Sequence, residues 1–242
     1  MKKRPLPETG ARLEEISTEW AILLDPGRFV ARYAQAMRKY LGALIRDPHD
    51  AEEVFQDFCL RVAEQQGFVR ARPDRGRFRD YLKAALRHSA FNFLRHKQPN
   101  QPSDSALWLR LAAAPSAERA DQAWLDEWRR CILERVWQVL QRHEEGSRGS
   151  LAHTVLRLII DEPDEDSQAL AARTSALVGR PLRPDAFRKQ VSRARLLLAR
   201  ALVQEVAQTL DRPTPAQVQE EMIELSLWHY VRDYLPADWL GS

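Results

Sequence analysis

Residues 75–97, RGRFRDYLKAALRHSAFNFLRHK, place many cations beside aromatic rings in one helix-like segment. Lys and Arg side chains hold phosphates, and an exposed ring stacks on an unpaired base with a gain of roughly 1–3 kcal/mol. If Phe78 faces the core and each residue advances by about 100°, one face of the segment is basic and outward. That face carries Lys83, Arg87, Phe91 and Arg95, with Tyr81 and His88 at its border. The pattern favours contact with single-stranded nucleic acid over the alternative, a basic helix that only faces solvent.

A second basic segment has the spacing of a helix-turn-helix. SQALAARTSALVG predicts a short helix closed by Gly179, GRPLRPD predicts a turn, and AFRKQVSRARLLLARAL begins a longer helix. In the short helix, Leu170, Ala171, Thr174, Leu177 and Val178 share the inward face. In the long helix the inward residues are Ala186, Phe187, Val191, Ala194 and Leu198. The opposite face of the long helix could enter a major groove, where a bidentate base contact discriminates by roughly 1–3 kcal/mol. The alternative is a structural helical hairpin with a solvated basic face.

The charge distribution supports two separate contacts with a polyanion. The net charge of the whole chain is only +3. Residues 70–97 contain nine Lys or Arg against two Asp, and residues 180–200 contain seven against one Asp. The remainder of the chain is therefore strongly acidic, and two basic islands on an acidic body are typical of nucleic-acid-binding surfaces.

Helical periodicity predicts the elements that must position these segments, and no alternating strand pattern is present. The first helix is expected from about Pro26 to Ile45, and Asp47-Pro48 predicts the start of the next one. The inward stripe of that second helix contains Ala51, Val54, Phe55, Phe58, Cys59 and Val62. It leaves an acidic outward face with an exposed Leu, which suits a protein partner. That face carries Glu53, Gln56, Asp57 and Leu60.

We expect an all-α fold with two small helical domains joined by a linker, the second of which contains the helix-turn-helix. The linker is rich in Pro, Ser and Ala. The acidic loop DEPDED at 161–166 is expected to be solvated and to cap the next helix. The predicted division is an N-terminal segment 1–28, a first domain 29–97, a linker 98–123, a second domain 124–210 and a C-terminal extension 211–242. For the extension, two roles stay open: a packed C-terminal helix, or a cover over the surface of a protein partner or of DNA.

Composition argues against several classes of protein. No apolar run approaches the roughly 20 residues that cross a bilayer, so we expect a cytoplasmic protein without membrane contact. Cys59 and Cys131 are isolated, and the His residues form no ligand pair with them. We therefore expect no metal and no cofactor, and the carboxylates of DEPDED are not paired with any His at a spacing useful for catalysis.

The order of these parts resembles a bacterial RNA polymerase sigma factor of the extracytoplasmic-function type, which contains only the second and fourth sigma regions. DPHDAEEVFQDFCLRVAE resembles the polymerase-binding helix of the second region. FRDYLKAALRHSAFNFLRHK resembles the helix that melts and reads the −10 element, and ALAARTSALVGRPLRPDAFRKQVSRAR resembles the −35-reading helix-turn-helix. RGRFRDYLKAALRH and LVQEVAQTL are similar to divergent planctomycete sigma factors. The likeness covers about 29–97 and 125–209.

The resemblance implies a non-enzymatic transcription initiation factor. Its implied partners are core RNA polymerase, promoter DNA as duplex and as single strand, and an anti-sigma factor as a further candidate. The implied polymerase-binding residues are Glu53, Gln56, Asp57 and Leu60. The implied −10 residues are Arg75, Arg77, Arg79, Tyr81, Lys83, Arg87, His88, Phe91, Asn92 and Arg95. The implied −35 residues are Arg183, Asp185, Arg188, Lys189, Ser192 and Arg193.

This chain departs from the family pattern at several places. Tyr81 stands where the family usually has Trp, His88 stands where it has Asn, and the turn before Arg188 is about two residues longer. One rival interpretation is a helix-turn-helix regulator that acts without polymerase. It leaves the acidic outward helix face and the ring of Phe91 unexplained. A second rival, an enzyme acting on nucleic acid, would have to use the DEPDED carboxylates.

Overall fold

The computed structural model describes residues 26–64, 77–97, 115–210, 213–235 and 239. All regular structure within these ranges is helical, which confirms the all-α fold class. The α-helices are α1 (Pro26–Leu44), α2 (Pro48–Glu64), α3 (Phe78–Lys97), α4 (Pro115–Gly146), α5 (Ala152–Asp161), α6 (Ser167–Val178), α7 (Pro184–Ala207) and α8 (Pro215–Glu224). A short 3₁₀ helix, Trp228–Tyr230, follows α8.

The start of α2 follows from its local sequence. The backbone N–H of His49 donates to Asp47 Oδ1 at 2.8 Å, as expected for an N-cap ahead of a proline at the first helical position. This backbone hydrogen bond is the main cause that lowers the pKa of Asp47. The predicted apolar stripe of α2 is buried, with Cys59 half-buried at its edge.

The long helix α4 joins the two halves of the chain. Its Trp128 ring stacks on Tyr33 of α1, with ring centres 4.5 Å apart, and Trp124 meets the ring of Tyr40 edge-on at 5.6 Å. Further along, α4 contacts α5 and α7. One cluster of buried side chains therefore extends from α1 to the residues that follow α8.

This arrangement corrects part of the predicted linker. Residues 115–123 belong to α4, and Ala117 and Ala120 in that stretch are buried. The Pro, Ser and Ala content suggested a linker, but Ala is also the best helix former, and aromatic packing against α1 stabilises the helix. Residues 98–114 lie outside the described part of the chain.

A buried ion pair fixes α7 against the first half of the chain. Glu205 of α7 accepts from Arg32 of α1 at 3.2 Å and from Arg135 of α4 at 2.9 Å. A carboxylate with two guanidinium partners satisfies more of its hydrogen-bonding capacity than a single pair would. The three helices are thus held together by polar as well as apolar contacts.

The residues that follow α7 form a capped helix and a turn. Thr214 and Gln217 make a reciprocal capping box at the start of α8. Beyond α8, Leu225, Leu227 and Val231 are buried, and the carbonyl of Leu225 accepts from Arg129 Nε at 2.5 Å. The described part of the extension therefore packs on the helical body. This agrees with the first of its two open roles, a packed C-terminal helix.

Candidate nucleic-acid interfaces

The helix pair α6–α7 has the local geometry that its sequence predicts. Asp166 caps α6 by accepting from the N–H groups of Gln168 and Ala169, and Gly179 ends it in the left-handed conformation at φ +65°. Phe187, Val191 and Ala194 of α7 are buried as expected. Leu177 does not join them: 68% of it is exposed, which corrects its predicted place on the inward face. It lies in the last turn of α6, in which the neighbouring Val178 packs against the core.

The predicted groove-facing residues of α7 all lie on the outside. They are Arg183, Asp185, Arg188, Lys189, Ser192 and Arg193, and each is exposed. Arg188 and Asp185 form an ion pair one turn apart. A short intrahelical pair of exposed side chains is weak and readily exchanged for another partner. The α7 face is thus open, basic and continuous over two turns.

The outward face of α2 is also open. Glu53, Gln56, Asp57 and Leu60 are exposed, and Leu60 has 61% of its surface accessible. Asp57 pairs with Arg61 at 2.8 Å, and Gln56 donates to Glu52 at 3.2 Å. An apolar side chain within an acidic surface has the chemistry of a protein-binding patch.

The basic residues at the start of α3 have a different environment. Arg79 is only 1% exposed and contacts Glu221 at 3.3 Å and Glu224 at 2.8 Å. Arg77 contacts Glu221 at 3.1 Å, pairs with Glu224, and lies 3.5 Å from Glu220. The predicted −10 residue Arg75 lies outside the described part of the chain. The C-terminal extension thus supplies carboxylates to two cations that were predicted to bind DNA.

Further along α3, the N-terminal part of α4 supplies a carboxylate to two more cations. Lys83 Nζ lies 3.4 Å from Asp121, and Arg87 donates to Asp121 at 3.2 Å and to the Tyr40 hydroxyl at 3.0 Å. Burial raises the pKa of Tyr40, and the neighbouring Arg87 opposes that shift. Lys83 and Arg87 remain partly exposed.

Two sequence-based expectations for α3 are wrong in this conformation. Phe91 was expected to point outward, yet it is only 3% exposed, and Arg79, one of the implied −10 residues, is buried. The projection assumed a single buried side. In the structure α3 is covered on more than one side, since both Leu82 and Phe91 are buried although they lie far apart around the helix.

The remaining predicted −10 residues are more accessible. Tyr81 is 37% exposed, with its ring centre 6.5 Å from that of Phe78. His88 and Arg95 are exposed and Asn92 is half-buried. The guanidinium of Arg95 lies 6.0 Å from the ring centre of Phe91.

Sequence reasoning missed the carboxylates that meet α3. Glu220, Glu221 and Glu224 come from the run EEMIE in α8, and Glu221 is almost fully buried. Burial raises the pKa of Glu221, while Arg79 and then Arg77 oppose that shift. The signal in the sequence was the acidic run EEMIE itself. It gave no indication of the partner.

The described residues also bear on metal binding, the acidic loop 161–166 and membrane-spanning helices. Within them, His, Cys, Asp and Glu form no group of three or more that could hold a metal ion. In the loop, Glu162 and Glu165 pair with Arg173, and Asp166 caps α6 as expected. No helix in the described ranges has the length and apolar character needed to span a membrane.

The fold and these surfaces define an all-helical protein with separate basic faces on two helices. Residues 29–99 match the family model for Sigma-70 region 2. No curated protein and no solved structure matches the chain. The match covers 71 of the 242 residues and concerns this part of the chain alone. The matched residues contain most of α1 and all of α2 and α3, and therefore include two of the three surfaces described above.

Proposed function

We propose that this protein is a sigma factor of the extracytoplasmic-function type, with a planctomycete-like sequence, that binds core RNA polymerase and directs it to promoters. The observation that carries the proposal is the Sigma-70 region 2 match over residues 29–99, which spans both the open acidic face of α2 and the basic helix α3. In this role the chain acts in the cytoplasm and performs no catalysis, and an anti-sigma factor is a candidate partner.

The α2 face is the proposed polymerase contact. Leu60 offers an apolar centre, and Glu53, Gln56 and Asp57 surround it with polar and acidic groups. A small apolar centre within a polar rim is how many protein interfaces concentrate their binding energy. The partner surface is expected to be basic around an apolar pocket.

The two basic helices are the proposed promoter contacts. The six exposed residues of α7 are the proposed readers of the −35 duplex, since a major groove admits one helix. The α3 face, with Tyr81, His88 and the surrounding cations, is the proposed site for the unstacked −10 strand. Opening the duplex costs a few kcal/mol per extruded base, and stacking with phosphate contacts offsets that cost.

The polymerase contact can be tested with a pair of matched variants. Asp57→Lys with Leu60→Ala should weaken binding to core RNA polymerase by at least about tenfold, because it removes the apolar centre and reverses one charge. The control is Asp161→Lys with Ile160→Ala on α5. Ile160 is as exposed as Leu60, at 61%, and Asp161 pairs with Arg157 one turn away as Asp57 does with Arg61.

Core affinity and run-off transcription should both fall in the α2 variant and stay near wild type in the α5 control. Equal core affinity for the two variants would remove α2 from the proposal. A wild-type chain that binds duplex DNA but does not copurify with core polymerase would instead be a regulator that acts without polymerase.

A further inference from the structure

The cations of α3 are paired with carboxylates from two other parts of the chain. Glu221 and Glu224 of α8 hold Arg77 and Arg79, and Asp121 of α4 holds Lys83 and Arg87. Four of the residues expected to bind −10 DNA therefore have carboxylate partners. The contacts with α8 join residues more than 140 positions apart, so they arise from tertiary structure.

A carboxylate and a phosphate offer a guanidinium the same kind of partner. Both present anionic oxygens to its planar fork, and both make charge-assisted hydrogen bonds with it. An arginine engaged by a glutamate must therefore give up that contact before it can hold a DNA phosphate. If Arg77 and Arg79 hold backbone phosphates, those phosphates would have to replace Glu221 and Glu224 as their partners.

The contact between α8 and α3 is incompletely satisfied. Among the described residues, Arg79 Nε and Nη1 have no hydrogen-bond acceptor of good geometry, although Nε lies 3.3 Å from Glu221 Oε1. That Glu221 oxygen likewise lacks a well-aligned donor within the described residues. A buried charged pair that leaves donors unsatisfied retains part of its desolvation cost. Such a contact is easier to separate than a fully hydrogen-bonded one.

We propose that α8 is an autoinhibitory segment whose glutamates imitate DNA phosphates and hold the −10-binding face of α3 closed in the free protein. This inference rests on the proposed role of α3 as the −10 contact. Single-stranded DNA and α8 then compete for Arg77 and Arg79. Separation of α8 from α3, by the polymerase or by the promoter itself, makes the face available.

The competition can be measured by replacing the two carboxylates with amides of nearly the same shape. The variant is Glu221→Gln with Glu224→Gln in the full chain. The probe is a fluorescein-labelled oligothymidylate, and affinity is measured by fluorescence anisotropy at fixed salt. If the oligonucleotide binds only the open form, the apparent affinity is proportional to the fraction of protein that is open. The variant should increase this fraction, and we expect oligothymidylate to bind about tenfold more tightly.

A control variant separates this effect from simple charge. Glu134→Gln with Asp161→Asn removes the same number of negative charges from two exposed ion pairs, on α4 and α5. It should tighten oligothymidylate binding by less than about twofold, the size expected from general attraction. Equal gains in the two double variants, or no oligothymidylate binding by any of these proteins, would overturn the inference.

A single substitution tests the inference even if the double variant does not fold. Glu224 is partly exposed, so Glu224→Gln alone should leave thermal unfolding, followed by circular dichroism, close to wild type. It should still tighten oligothymidylate binding more than Glu134→Gln alone. A well-folded Glu224→Gln protein with no such gain would count against the closed state.

Core polymerase binding is measured in parallel, because the proposed function assigns it to the α2 face and not to the contact between α8 and α3. If all variants bind core polymerase and their oligothymidylate affinities are equal, the inference fails and the proposed function stands. If wild type does not bind core polymerase, the proposed function fails. The comparison of oligothymidylate affinities then still decides whether α8 covers α3.

Discussion

The basic faces of α7 and α3 have similar chemistry and opposite accessibility. On α7, the cations Arg183, Arg188, Lys189 and Arg193 are exposed, and the carboxylate that pairs with Arg188 comes from the same helix turn. On α3, Arg77, Arg79, Lys83 and Arg87 meet carboxylates of α8 and α4. A basic helix in a sequence therefore identifies a potential polyanion contact, but the rest of the fold decides whether that contact is available in the free protein.

The largest expected effect distinguishes the aromatic residues of α3. Phe91 is buried, so Phe91→Ala should lower the free energy of unfolding by about 3–5 kcal/mol. Tyr81 is more than one-third exposed, and Tyr81→Ala should cost much less stability. It should instead reduce open-complex formation on duplex promoters, with recovery on templates whose −10 region is already melted. Urea unfolding and permanganate footprinting measure the two effects.

The opposite result for Phe91 would contradict this division of roles between Phe91 and Tyr81. If Phe91→Ala is as stable as wild type but fails to open promoters, Phe91 must leave its buried site and stack on a base in the open complex. The closed state of α3 would then involve the aromatic residues as well as the cations.

The next effect concerns the open face of α7. Arg188→Ala and Lys189→Ala should each weaken binding to a selected −35 duplex by about tenfold or more, since one base-edge contact provides roughly 1–3 kcal/mol. A residue that contacts a base should also relax sequence preference at one position. Arg200→Ala is the matched control, because Arg200 is exposed on the same helix outside its first turns. Equal losses in all three variants would mean that α7 contributes only general attraction.

Local features of the structure were predictable from sequence, whereas contacts between distant segments were not. The cap at Asp166, the left-handed Gly179 and the buried stripe of α2 each depend on residues within a turn or two of one another. The burial of Arg79 depends on Glu221, which lies 142 positions further along the chain. Helical periodicity indicates which face of a helix is buried, but it does not identify what covers the other faces.

The difference between local and distant contacts also explains why exposure was predicted correctly on α7 but not on α3. The six α7 residues were predicted correctly as exposed because one apolar stripe determines which side of that helix faces inward. For α3, the sequence predicted one core side that includes Phe78, but carboxylates of α4 and α8 meet the helix from further directions. The helical stretch 115–123, which brings Asp121 to Lys83 and Arg87, was expected to be linker.

A smaller effect is expected at the α4 side of α3. Asp121→Asn removes the carboxylate shared by Lys83 and Arg87. These side chains are partly exposed, and such pairs contribute about 0.2–1 kcal/mol, so oligothymidylate binding should tighten by only about twofold to threefold. Asp126→Asn, on the same helix and paired with Arg129, is the control. A gain larger than that of Glu221→Gln with Glu224→Gln would make α4, and not α8, the main cover of α3.

The smallest expected effect is the pH dependence of the α8 contact. Glu221 faces Arg79, Arg77, Asp80 and Glu220, and burial is the largest influence on its pKa, which is raised. The folded protein therefore binds a proton at Glu221 more tightly than the unfolded chain does. The stability that this proton contributes is fully present below the pKa of an exposed glutamate, about 4.3. It is lost as the pH rises through the higher pKa of the folded state.

Acidification should consequently favour the wild-type protein over Glu221→Gln, whose amide does not titrate. Between about pH 7 and about pH 5, the free energy of unfolding of wild type relative to Glu221→Gln should rise by less than about 1 kcal/mol. Urea unfolding of both proteins at the two pH values measures this difference, and all other titrating groups are common to the pair. A fall in the difference would show that the arginines outweigh burial at Glu221. The carboxylate would then be held as a strong ion pair, and the α8 contact would be harder to open than its unsatisfied donors indicate.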